Sequence, residues 1–193
     1  MRFIARDSTD STMLDARRAI ARGPLPDLTV FSAGEQTGGI GRFGRAWSSP
    51  RGGLWMTVVM PLEQDQLSKI LEGLGLRVGV AVLDTLERAC RTLAAGMGAS
   101  DSGPSGPSPR LTLKWPNDVL LNGRKVAGVL VETAHAGGVP HALIGVGVNA
   151  NFPARDLPTD LRDRATSILA ELGVPADLAR LRDELARAVF NAV

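Results

Sequence analysis

The stretch from Leu111 to Asn149 constrains the fold more than any other part of this chain. Leu111 and Leu113 alternate with polar neighbours up to Trp115, and Val119-Leu120-Leu121 resumes after a turn at 116–118. Two longer apolar runs follow, Lys125 to Glu132 and His141 to Val148, separated by Gly137-Gly138. Asn122-Gly123 stands between the second and third runs, and both of its residues tolerate positive φ. That is the requirement of a type I′ hairpin, so these strands are expected to pair antiparallel. Upstream, Leu28 to Ser32 and Leu54 to Met60 also read as strands, the second stopped by Pro61.

Apolar positions recur at helical spacing over 66–94, through Leu67, Ile70, Leu74, Val78, Val82 and Leu86, although Gly73, Gly75 and Gly79 weaken the first half. A shorter helix opens at Asp10-Ser11, where either side chain can cap the first amides, and ends near Gly23-Pro24. Helical patterning returns from Asp160, with Pro175 starting a last helix. Gly96 to Pro109 is rich in Gly, Ser and Pro and reads as a mobile inserted loop. Antiparallel strands with segregated helices predict an α+β fold, a mainly antiparallel sheet covered by helices.

The length, 193 residues, suits one domain over 1–193. The net charge is +2, and the basic residues of 15–22 and 162–187 sit beside acids. No basic stripe is gathered, so no nucleic-acid partner is expected. Cys90 is the only cysteine, which excludes an intramolecular disulfide and a cysteine-rich metal site; it is expected in the core. His135 and His141 flank a turn and are expected at the surface. The N-terminus lacks the apolar run of a signal peptide, and no stretch reaches the ~20 apolar residues of a membrane span. A cytoplasmic chain without membrane contact is the expectation.

Three stretches carry chemistry. Gly39 to Gly44 spells G-x-G-x-x-G, but no helix can follow through Trp47-Ser48-Ser49-Pro50, so the dinucleotide-binding reading fails. What remains is a glycine-rich loop bearing Arg42 and Arg45. Its amides and guanidinium groups can hold a phosphate or carboxylate, against the alternative of a solvated basic loop. Lys114-Trp115-Pro116-Asn117-Asp118 places a cation, an aromatic plane, an amide and a carboxylate together. Asp118 could hold Mg²⁺ near phosphates and Lys114 could neutralise phosphoryl charge, although Pro-Asn-Asp is equally an ordinary turn. In the last strand Ile144, Val146 and Val148 share one face, leaving Gly145, Gly147 and Asn149 on the other. Bare backbone of this kind marks close approach by something flat, or by a packed helix. The same alternation groups Lys125 with Ala127, Val129 and Val131, opposite Val126, Gly128, Leu130 and Glu132.

Together these motifs resemble the catalytic domain of the biotin–protein ligase family. Gln36-Thr37-Gly38-Gly39-Ile40-Gly41-Arg42-Phe43-Gly44-Arg45-Ala46-Trp47 is similar to its Q-T-A-G-R-G-R-x-G-R-x-W, and Lys114 to Asp118 matches K-W-P-N-D. Arg124 to Gly128 with Val131-Glu132 is similar to R-K-[LV]-A-G-[IV]-L-x-E, Gly145 to Asn149 to G-x-G-[IL]-N, and Asp10-Ser11-Thr12 to D-S-T-N. Three departures stand out. Ile40 replaces an arginine, Met13 replaces an asparagine, and Asp7-Ser8-Thr9-Asp10 offers a rival register.

The resemblance implies a class II aminoacyl-tRNA synthetase-like fold and an ATP-dependent ligase. Such an enzyme makes biotinyl-5′-AMP from biotin and Mg-ATP, then biotinylates a lysine of a biotin carboxyl carrier protein. Mg²⁺ comes with ATP, biotin is a substrate, and no permanently bound cofactor is implied. Ser11, Thr12, Gln36, Gly39, Arg42, Lys125, Gly145 and Gly147 would bind biotin. Gly41, Arg42, Arg45, Trp47, Asn117 and Asn149 would contact ATP or the adenylate. Arg42, Lys125 and Lys114 would be catalytic, with Asp118 on the metal. Lipoate or octanoate ligation, and a biotin sensor without transfer, are the rival activities. The family's winged helix and C-terminal SH3-like barrel are not expected within the chain, and an open sheet edge would admit a homodimer.

Overall fold

The hairpin forms as its turn chemistry requires: Asn122 and Gly123 take φ of 51° and 84° in the computed structural model, which describes residues 1–65, 67–97 and 109–193. It joins β5 (Asp118–Leu121) to β6 (Arg124–Ala136), and Gly137-Gly138, also at positive φ, joins β6 to β7 (Val139–Val148). With β1 (Arg2–Thr9), β2 (Thr29–Gln36), β3 (Leu54–Pro61) and β4 (Leu111–Lys114) they form one seven-stranded sheet, in the order β1-β2-β3-β7-β6-β5-β4. Only β1 and β2 run parallel, so the mainly antiparallel α+β expectation holds. β1 itself was not expected: Arg2 to Thr9 is largely exposed at a sheet edge and carries no clear alternation.

Strand alternation separates two faces. Val58, Ile144, Val146 and Val148 point into the main core against α3 (Leu74–Met97) and α5 (Leu178–Asn191). Leu74, Val78, Val82, Leu86 and Cys90 line one face of α3 at i, i+4 spacing, each at most 1% exposed. Burial pushes the Cys90 thiol up to about 11, in keeping with an inert core residue. The expected single helix is broken: α2 (Leu67–Leu71) stops, Gly73 turns at φ 64°, and α3 begins. On the opposite face α1 (Thr12–Ala21) rests Met13, Ala16 and Ile20 on Phe31, Val59 and Leu143. The loop expected over Gly96–Pro109 lies outside the described residues apart from its ends, and Gly96 still belongs to α3.

The last helix starts at Leu178, later than Pro175, because Asp177 accepts the Arg180 amide as N-cap. His141, expected at the surface, is fully buried. Its Nε2 accepts from the Leu25 amide at 3.1 Å, which leaves Nδ1 to donate to the Val139 carbonyl. Among the described residues no helix is long and apolar enough to cross a membrane.

Glu171 of α4 (Ile168–Leu172) ties the helical layer to the β5–β6 hairpin. It accepts from Thr166 at 2.7 Å and Asn122 at 2.8 Å, and pairs with Arg124. Burial raises its pKa, but the hydrogen bonds from Thr166 and Asn122 and the Arg124 charge outweigh burial and hold it below the ordinary value of 4.5. A depressed carboxylate stabilises the fold above that value and loses the contribution as pH falls through the folded pKa. Glu171→Ala is therefore expected to cost about 2 kcal/mol at pH 7. Denaturant titrations should show the gap from wild type shrinking as the pH falls below 4.5; a gap independent of pH would contradict this.

Candidate active site

A cavity of about 630 Å³ opens on the α1 side of the sheet, within the range of small-molecule sites. Its floor follows from strand register. Trp55, Gly147 and Gly128 stand side by side across β3, β7 and β6, and Thr57, Gly145 and Leu130 form the next row. As expected, Gly145, Gly147 and Asn149 face the cavity while Ile144, Val146 and Val148 face the core.

The bare strip is two strands wide, and the chain itself covers part of it. A Cβ on Gly147 would lie 2.8 Å from the Trp47 indole nitrogen, and one on Gly128 would lie 3.0 Å from the far edge of the same ring. Over Gly145 the Met13 methyl would be 3.1 Å away. The flat occupant and the packed helix thus both appear, at adjacent glycines. The Trp47 indole N–H is buried without an acceptor among the described residues.

Lys125 corrects the period-2 reading. Asp118 pairs with Gly128 and Val119 with Ala127, but Leu120 pairs with Lys125, so Val126 is an extra residue in β6. This bulge resets the phase: Val126 and Ala127 both enter the core, and Lys125 emerges on the cavity side with Gly128 and Leu130. Its Nζ sits 2.6 Å from Asp118 Oδ1 and 4.7 Å from the centre of the Trp47 ring. The segment after Leu161 straps this strand: Lys125 donates its amide to Arg164 O, and Thr166 donates to Lys125 O.

The glycine–arginine loop closes on itself as a narrow ribbon. Gly41 donates to Arg45 O at 2.7 Å, Trp47 to Gly39 O at 2.9 Å, and Gln36 to Ser49 O at 3.1 Å. Arg42 donates to Asn117 Oδ1 at 3.2 Å, and Asn117 in turn donates to Val129 O, so the loop reaches the 114–118 turn across the cavity mouth. Arg45 folds back to donate to Arg42 O. Lys114 also lines the mouth. At the tip Phe43 is 86% exposed and takes φ 60°, with Arg42 and Arg45 stacked on its ring.

At the other end of the cavity Ser11 and Thr12 are buried in the wall, whereas Ser8 and Thr9 lie on β1 and do not line it. Ser11 occupies the N-cap of α1 without a side-chain cap bond; instead Asp10 Oδ1 accepts the Ser11 amide, and Gln36 Oε1 accepts that of Thr12. Asn149 donates to Thr166 O at 2.9 Å. Among the described residues no three His, Cys, Asp or Glu side chains gather as a metal cage.

The sequence profile of the biotin/lipoate A/B protein ligases matches residues 5–149. The chain belongs to that family. It is 36% identical over 182 residues to the biotin–[acetyl-CoA-carboxylase] ligase of Paracoccus denitrificans, covering 93% of this chain and 68% of that protein. It is 34% identical over 179 residues to the bifunctional ligase/repressor BirA of Bacillus subtilis, covering 92% of this chain and 49% of that one. The chain therefore spans about half the length of the bifunctional relatives. Its fold matches an Aquifex aeolicus biotin protein ligase in complex with biotin and ATP, with TM-score 0.73, 27% identity, and coverage of 99% of this chain and 69% of that one.

The cavity gathers Ser11, Thr12, Gln36, Gly41, Arg42, Arg45, Trp47, Lys114, Asn117, Asp118, Lys125, Gly145, Gly147 and Asn149, drawn from every motif of the family resemblance. Gly39 stands behind the wall: a Cβ there would run into Trp47 O and lie 2.7 Å from Ser49 Oγ. Sequence reasoning did not pick out Thr57 and Gly128, which also line the cavity. A glycine inside a strand is a signal for Gly128, but only the β6–β7 register puts it beside Gly147.

Proposed function

We propose that this chain joins biotin to ATP as biotinyl-5′-AMP and passes the biotinyl group to a lysine of a biotin carboxyl carrier protein. The observation that carries the reading is the convergence of Lys125 and the Arg42 loop on one glycine-floored cavity. A biotin carboxylate oxygen bonds to the α-phosphorus while the bond from that phosphorus to the bridging oxygen breaks, its electrons leaving with pyrophosphate. Two anions must meet for this, so the protein's task is to hold and neutralise them, with no covalent nucleophile required. Lys125 is the cation for the carboxylate–phosphate junction, Arg42 closes the mouth over it, and Lys114 and Arg45 serve the outer phosphates. In the second step a lysine amine bonds to the acyl carbon, AMP leaves with the electrons of the C–O bond, and the amine proton passes to solvent.

Ser11, Thr12 and Gln36 receive the ureido head, and Trp47 and Asn149 receive the adenine. Mg²⁺ enters with ATP as part of the substrate. Asp118 suits it: Oδ1 holds Lys125, and Oδ2 has no side-chain partner among the described residues. The names of the relatives support biotin over lipoate.

The decisive measurement is exchange of labelled pyrophosphate into ATP. Exchange that depends on biotin is expected, followed by labelling of a carrier domain. Exchange with lipoate in place of biotin would move the chain to the other branch of the family, and exchange without transfer would mark a sensor.

A further inference from the structure

We propose that Ser49 is a positioning residue which couples the ureido end of the cavity to the loop that carries Trp47; the proposal rests on the ligase reading above. Five polar groups form one unbroken chain. Thr57 Oγ1 and Thr12 Oγ1 lie 2.9 Å apart, and Gln36 Oε1 accepts from both the Thr12 amide, at 2.8 Å, and its hydroxyl, at 3.1 Å. Gln36 Nε2 donates to Ser49 Oγ at 2.8 Å, and Ser49 Oγ donates to Trp47 O at 3.2 Å.

The polarity of the chain is determined from Gln36 onward. A hydroxyl has one hydrogen, so Thr12 accepts from Thr57 when it gives its own to Gln36. With its carbonyl oxygen accepting twice, the Gln36 amide can turn only its NH₂ towards Ser49. Ser49 then spends its single hydrogen on the Trp47 carbonyl.

Two independent observations show that the chain matters for the loop. Among the described residues the Trp47 indole N–H has no acceptor, so none of them fixes the ring by a hydrogen bond. The ring is held by packing on Gly128 and Gly147, and the hydrogen bonds that hold the residue are those of its main chain, with N–H to Gly39 O and C=O from Ser49. Gly39, meanwhile, packs against the joint itself: a Cβ there would strike Trp47 O, Ser49 Oγ and Gln36 Nε2 together. The absent side chain at Gly39 makes room for this relay. A group settling on Thr12 and Gln36 therefore biases where the indole lies over Gly128 and Gly147, and so links the two substrate halves.

The test is a double-mutant cycle in the pyrophosphate-exchange assay, with Ser49→Ala, Gln36→Ala and the double variant. Ser49 lies outside the nucleotide half, yet Ser49→Ala is expected to raise KM for ATP about tenfold, the effect of losing one or two hydrogen bonds. Gln36→Ala should do the same, and the double variant should be no worse than the stronger single. Multiplying effects, or a lowered Tm with both KM values unchanged, would overturn the coupling. Amide hydrogen exchange on the ligand-free protein separates this from the ligase reading. Ser49→Ala should speed exchange of the Trp47 amide about tenfold relative to wild type, and unchanged protection overturns the relay whatever the substrate. Absence of biotin-dependent exchange in the wild type would instead sink the ligase reading alone.

Discussion

Lys125→Gln is expected to slow biotin-dependent pyrophosphate exchange by about 10²- to 10³-fold, the loss typical when a preorganised charge at the reacting centre is removed. The expectation comes from where the bulge at Val126 puts the side chain. Lys125 stands on the cavity face beside Gly128, 2.6 Å from Asp118 and over the Trp47 ring. Two anions have to approach within bonding distance there. Without the ammonium, the Asp118 carboxylate is left beside them unpaired and adds its own repulsion. Glutamine keeps most of the length and can still hydrogen-bond Asp118, so the fold should survive. Circular dichroism and Tm close to wild type, with exchange lost, are the expected pair of results. Asp118→Asn is the informative companion. If Asp118 served only to hold Lys125 in place, that variant would lose activity without changing its Mg²⁺ dependence; a carboxylate that also meets the metal would raise the Mg²⁺ requirement. A Lys125→Gln variant that exchanges pyrophosphate within a factor of about ten of wild type would remove Lys125 from the catalytic role.

This placement shows where sequence reasoning works and where it stops. The two faces of β7 were legible because Ile144 to Val148 alternates without interruption, and Ile144, Val146 and Val148 are all in the core. The Asn122-Gly123 hairpin was legible because turn chemistry is local. Lys125 was assigned to the wrong face because counting by twos assumes an unbulged strand. The extra residue at Val126 exists only in relation to β5. Thr57 and Ser49 were invisible for another reason: hydroxyls at such positions look like ordinary strand and loop residues. They acquire a role only when folding brings Thr57 to Thr12, 45 residues away, and Ser49 to Gln36. Buried His141 is a third case, since its hydrogen bond to Leu25 spans 116 residues. Periodicity gives faces; it does not give partners across the sheet.

The glycine strip supplies the second large effect, and it discriminates between two reasons for the missing side chains. If the glycines served only to let a ligand lie flat, Gly145 and Gly147 would respond alike to substitution. The structure assigns them different neighbours. A Cβ at Gly147 meets the indole of Trp47 at 2.8–3.0 Å, whereas at Gly145 it meets chiefly the flexible end of Met13 at 3.1 Å. Gly128, which the motif reading included without a role, faces the same indole as Gly147. Gly147→Val should therefore displace the ring, weakening ATP and biotin together by about 100-fold, the upper range for overpacking a close contact. The backbone should tolerate the change, because β7 is extended at this point and valine suits a central strand. Gly128→Ala should resemble Gly147→Ala, and Gly145→Ala should cost less, its effect confined to biotin. Isothermal titration with biotin and with a non-hydrolysable ATP analogue measures all three. Equal losses at Gly145 and Gly147, with Gly128→Ala silent, would mean that the strip is shaped for the ligand alone and that the Trp47 ring plays no part in forming the site.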